Sequence, residues 1–66
     1  MIAPLIWKGV LKLVQIRKEK NHQIARVYNP RSVVPEAIFN EIATNLFEDE
    51  LTGDLFKLLD GKMVSA

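Results

Sequence analysis

From Lys8 to Arg26 the polar positions advance by threes and fours. Lys8, Lys12, Gln15, Glu19, His22, Gln23 and Arg26 fall on one stripe when the segment is wound as a helix. Ile6, Gly9, Val10, Leu13, Ile16, Ile24, Val27 and Tyr28 gather on the opposite side. The two apolar groups stay in phase across the charged stretch RKEKN, which separate elements would not require. Pro4 suits a first helical turn, where its missing N–H costs nothing. Pro30 disfavours helical geometry at Asn29 and so marks a stop. The pattern predicts a long amphipathic helix over 4–29.

Residues 30–34 read as a connector, a proline elbow. Pro35 then opens a second predicted helix over 35–49, with Glu36 near its positive end. Ile38, Phe39, Ile42, Ala43, Leu46 and Phe47 form its apolar stripe, while Glu41, Thr44, Asn45 and Glu48 face away. Gly53 interrupts this pattern, and Thr52 suits a helix N-cap. A short third helix over 52–60 carries Leu55, Phe56, Leu58 and Leu59, with Gly61 as its stop. Residues 61–66 read as a frayed tail. The expected fold class is all-α: one small helical domain over 1–66, with a long N-terminal helix and two shorter ones.

The first segment supports rival readings. GVLKLVQIR and HQIARVYN both have strand propensity, and KEKN between them could turn the chain. Alternation would then put Lys12 on one face with Val10, Val14 and Ile16, and Arg26 with Ile24 and Tyr28. Both strands would have mixed faces. A helix to about Lys20 followed by a strand over Gln23–Tyr28 is a third form. The alternative fold class is thus α+β, an N-terminal hairpin or single strand followed by two helices.

Length sharpens the picture. A chain of 66 residues buries only about 60% of its unfolded surface, and domains of this size often need disulfides, a metal or a partner subunit. There is no cysteine, which removes disulfides and thiolate metal sites and fits a reducing, cytoplasmic setting. Oligomerisation is the remaining common remedy. A helix of about 26 residues would be roughly 39 Å long, against a compact diameter of roughly 28 Å. The overhang would expose Ile6, Trp7, Val10, Leu13 and Val14, the expected partner interface.

The net charge of +1 conceals an asymmetry. Residues 1–35 hold seven cations against Glu19, giving +6, and residues 36–66 hold two cations against seven acids, giving −5. Arg17, Lys18, Lys20 and Arg26 are the candidate nucleic-acid contacts. Zinc-finger spacing is absent, and the last predicted helix carries leucines where a base-reading helix would carry polar groups. The apolar run Ile2–Ile16 is interrupted by Lys8 and Lys12, and a spanning helix needs about 20 apolar residues. Its charges also lie inside and after the run, unlike a signal peptide. A membrane-surface role for the first helix, with Trp7 at the interface, is a weaker alternative.

Candidate catalytic chemistry is sparse. The one histidine, His22, falls on the polar stripe, and Ser32 and Ser65 lie in connector and tail. Glu48, Asp49, Glu50 and Asp54 lack the spacing of a calcium loop, since Leu51 stands where a ligand belongs. The glycines Gly9, Gly53 and Gly61 are too far apart for a phosphate loop. No catalytic residue, cofactor or metal is expected. The expectation is a non-enzymatic protein–protein interaction or assembly protein, homo-oligomeric or docked on a larger partner. The alternative is a nucleic-acid-binding regulator using the basic half.

Overall fold

Lys8 (φ 53°) with Gly9 (77°), and Asp60 (φ 51°) with Gly61 (78°), hold consecutive left-handed conformations. This is the two-residue turn whose twist matches antiparallel strands. Lys20 (φ 57°) and Asn45 (φ 57°) turn the chain at two further points. A computed structural model describes all of Met1–Ala66. It has seven strands: β1 (Ile2–Trp7), β2 (Val10–Glu19), β3 (His22–Tyr28), β4 (Ala37–Ala43), β5 (Leu46–Asp49), β6 (Leu55–Leu59) and β7 (Lys62–Ser65). Each pairs antiparallel with the next, and β7 closes on β1 in parallel, giving a barrel with strand order β1-β2-β3-β4-β5-β6-β7.

The protein is therefore all-β. It is neither the small helical protein nor the α+β alternative that the pattern predicts. The predicted helix 4–29 is β1, β2 and β3. Its stripe arises because β2 is apolar on both faces: Leu11 and Leu13 point outward, Val14 and Ile16 inward. Without alternation such a run reads equally well as helix. The hairpin weighed as a rival coincides with β2 and β3, whose turn is Lys20–Asn21, but no helix follows it. The predicted helix 35–49 is the β4–β5 hairpin. Ala37 and Phe39 point inward on β4 and Phe47 on β5, all at odd positions, with a turn at Thr44–Asn45 and a register shift between Glu41 and Ala43 joining the strands. The spacing of threes and fours mixes the two faces of this hairpin, Phe39 and Phe47 inward and Ile38, Ile42 and Leu46 on the outer face. The predicted helix 52–60 is a loop and β6, and the tail is β7, the closing strand. Gly61, read as a helix stop, is the second residue of a hairpin turn.

The interior is filled by Leu5, Val14, Ile16, Val27, Phe39, Phe47, Phe56 and Met63, with Ala3, Ala25 and Ala37 making room between them. Phe39 and Phe56 stack with ring centroids 4.3 Å apart and planes 7° apart, and Trp7 meets Phe39 edge-on at 6.2 Å. Lys12 shares the inward face of β2. Its side chain is only 11% exposed, and its ammonium ends 3.1 Å from a Glu36 carboxylate oxygen. A buried stem with a paired head plugs the barrel end, so the mixed face that argued against a strand is satisfied by an ion pair. The radius of gyration, 10.7 Å, matches the roughly 11 Å of a folded chain of this length.

Closure is weakest between β1 and β7, where Leu5↔Met63 is the registered pair. Met1 and Ile16 exchange both backbone hydrogen bonds across β1 and β2. Antiparallel alternation then directs the backbone groups of Ile2, Pro4 and Ile6 toward β7. Pro4 has no N–H to donate there, which confines it to this sparsely bonded seam.

Candidate interaction surface

The β1–β2 register sets Ile6 opposite Leu11 and Pro4 opposite Leu13, and the β2–β3 register sets Leu13 opposite Tyr28. These are outward positions. Ile2, Ile6, Leu11 and Leu13 are 63%, 66%, 59% and 54% exposed. The β3–β4 loop adds Val33, 93% exposed. Asn29 and Ser32 shape that loop: the Asn29 side chain accepts from Arg31 N–H, and the Ser32 hydroxyl accepts from Val34 N–H. A groove of about 420 Å³ runs between Ile2, Leu13, Gln15, Tyr28, Ser32 and Val33. Gln15 and Tyr28 also line a neighbouring polar groove of about 390 Å³ with Arg17, Lys18, Glu19 and Arg26. The surface is thus apolar on one side of Tyr28 and cationic on the other.

The predicted partner interface is divided by the strand period. Ile6 and Leu13 are outward, and Val10 sits exposed beside the first turn. Trp7 is half-buried against the core, with the Lys8 ammonium 4.6 Å from its ring centre. Val14 is fully buried and cannot touch a partner. Tyr28, which the helical reading places on the apolar side without assigning it to the interface, completes the surface with Ile2, Leu11 and Val33, which that reading leaves off its stripe. Their signal is the cross-strand pairing, plus a valine pair between prolines that the helical pattern assigns to a connector.

The predicted basic contacts are divided too. Arg17 and Arg26 share the outward face of β2 and β3; Lys18, of opposite strand parity, reaches the same groove near the end of β2, and Lys20 lies in the turn. Arg26 donates to Glu19 at 2.7 Å. That bond is the main reason the Glu19 carboxyl lies below the usual glutamate range and the Arg26 guanidinium above its own. One cation of the four is therefore already neutralised.

The meander keeps chain neighbours adjacent, so the charge split of the sequence becomes a split between two sides of the barrel. On β4–β6 and their loops, from 37 to 59, Lys57 is the single cation against five acids. Asp49 is buried and accepts from Leu51 N–H at 2.9 Å and Thr52 N–H at 3.4 Å. Glu50 accepts from the Asn40 amide, and Asp54 from the Thr52 hydroxyl. These carboxylates shape a loop, and no group of three or more His, Asp or Glu side chains converges as a metal site would require. His22 is exposed beside the β2–β3 turn; Ser32 bonds within its loop, and Ser65 ends β7. The structure does not bring these three together. No helix is long and apolar enough to cross a membrane.

Glu41 clips β3 to β4 where their ladder ends. It accepts from Asn45 N–H at 2.9 Å and from Gln23 N–H and Nε2, both at 3.0 Å. The Asn45 and Gln23 backbone donors hold its carboxyl below the ordinary glutamate value of 4.5. A carboxyl lowered in the folded state stabilises fully above its unfolded value, and that contribution fades as pH falls through the folded value. Glu41→Gln should therefore cost about 1 kcal/mol at neutral pH and less as pH drops from 5 toward 3. Urea titrations of both proteins at several pH values check this; a deficit that stays constant down to pH 3 refutes it.

No family model matches the chain, and comparison with curated proteins and with solved structures finds no significant similarity.

Proposed function

We propose that this is a small non-enzymatic assembly protein that associates with copies of itself through the outer face of β1 and β2. The observation that carries this reading is the unbroken run of outward apolar residues Ile2, Ile6, Leu11 and Leu13, each more than half exposed. Fully burying such a side chain contributes about 1.5–3 kcal/mol. A domain of this size has roughly 3–10 kcal/mol in total. Leaving four of them in water is a large forfeit for so small a core, and contact with another molecule recovers it. A closed barrel offers no free sheet edge, so a partner meets side chains rather than adding a strand.

The basic groove supports a second reading, binding of a single nucleic-acid strand, with Arg17 at the phosphates and Tyr28 as a stacking surface. The Glu19–Arg26 pair, which neutralises one of the groove's cations, weakens it. The deciding experiment is sedimentation velocity from about 10 μM to 1 mM, without detergent. We expect mass to rise with concentration for the wild type, and association to weaken at least tenfold in Ile6→Asp/Leu13→Asp. A wild type that remains monomeric throughout defeats the reading.

A further inference from the structure

The composition of the groove restricts what can fill it. Its lining is apolar through Ile2, Leu13 and Val33; the groove adjoining it across Gln15 and Tyr28 is cationic through Arg17, and Arg31 lies in the loop that bears Val33. The carboxylate nearest at hand, Glu19, already accepts a hydrogen bond from Arg26. A two-fold contact of this face with itself would bring both copies' cations, Arg17 and Arg31 among them, into one interface with no unpaired carboxylate between them. Like charges brought together in that way oppose association. The occupant that fits is an exposed apolar side chain flanked by carboxylates.

The chain carries one. In the loop between β5 and β6, Leu51 is 87% exposed and lies between Glu50 and Asp54. The loop is held in shape. The Asp49 carboxylate accepts from Leu51 and Thr52 N–H, the Asp49 carbonyl accepts from Gly53 N–H at 2.9 Å, and Gly53 takes a φ of 78°. A projection already ordered in the free protein loses little entropy on docking. β5 and β6 are the strands furthest from β2 around the ring. Knob and groove are thus separate surfaces of one copy, so a copy whose groove is filled still offers its knob to another.

We propose that the Leu51 loop of one copy seats in the groove between Ile2, Leu13, Tyr28 and Val33 of the next, with Glu50 and Asp54 facing Arg17 and Arg31. This rests on the self-association reading above and specifies its geometry. The contact is heterologous, so it propagates into open chains or rings instead of stopping at a dimer. Higher salt weakens it, because its outer part is ionic and exposed.

Two variants test this together. Leu51→Asp destroys the knob and Leu13→Asp the groove; Val33→Asp replaces the latter if Leu13→Asp loses the barrel's circular dichroism. Each variant alone should sediment as a monomer where the wild type grows past a dimer. Mixed in equal amounts, they should form a heterodimer and nothing larger, since one intact knob and one intact groove remain between them. That doubling of mass is the expected result. Assembly of Leu51→Asp at wild-type strength would overturn the knob while leaving self-association through β1 and β2 in place. A mixture that stays monomeric would overturn the head-to-tail geometry. A monomeric wild type that binds a fluorescent single-stranded 20-mer, with at least fivefold loss in Arg17→Gln, would overturn both and assign the groove to nucleic acid.

Discussion

Phe39→Ala is expected to leave the protein largely unfolded at 25 °C. Phe39 is fully buried, stacks on Phe56 at 4.3 Å and supports the edge of Trp7 at 6.2 Å. Phe-to-Ala changes in a core cost about 3–5 kcal/mol, part from lost transfer energy and part from the cavity left behind. A domain of this length holds roughly 3–10 kcal/mol in all. The ring is also hard to replace by relaxation, because its neighbours at the centre of the barrel are the small Ala25 and the ring of Phe56. Far-ultraviolet circular dichroism with a urea titration reads the loss directly. A variant that keeps a cooperative transition within 1 kcal/mol of wild type, a margin well below the Phe-to-Ala range, would mean that the stacked pair is not the centre of the core.

Leu13→Asp and Val14→Asp, one position apart, should have opposite outcomes. Leu13 is 54% exposed on the outer face, and Val14 is fully enclosed. An aspartate at 13 reaches water at once, costs the fold about 0.5 kcal/mol or less as surface changes usually do, and takes its effect on association. An aspartate at 14 places a carboxylate among Ile16, Val27 and Leu5, where the one cation on that face, Lys12, is already paired with Glu36. An unpaired buried charge costs several kcal/mol even after it protonates, enough to remove the folded state. A helical first segment would make both changes mild or both severe, since the two residues would share one broad apolar face. Circular dichroism at 20 °C separates the cases. Equal damage from both substitutions would contradict the register of β2.

Several features that matter were already in the chain order. The charge split needs no fold to be seen. It becomes two sides of a barrel because a meander preserves neighbourhood. The break at KEKN was legible as a turn, and Asp60–Gly61 was legible as a turn dipeptide, though a helix stop uses glycine for the same left-handed freedom. The exposed apolar residues Ile6 and Leu13 were identifiable as excess to a small core. Trp7 and Val14 were not separable from them by pattern.

The inventory is local information: which residues are charged, where the chain can turn, and that large apolar side chains are plentiful for a chain of 66 residues. Which of them face inward depends on how distant strands pair. Alternation is a local signal only when one face of a strand is polar, and β2 has Leu11 and Leu13 outside, Val14 and Ile16 inside, and Lys12 among the inward positions. Lys12 is tolerable there only because Glu36, twenty-four positions away, comes within 3.1 Å when the barrel forms. The β1–β7 closure is likewise a pairing between the two ends of the chain. Helical periodicity is written in contacts three and four residues apart, whereas strand pairing depends on partners whose distance along the chain no local pattern records.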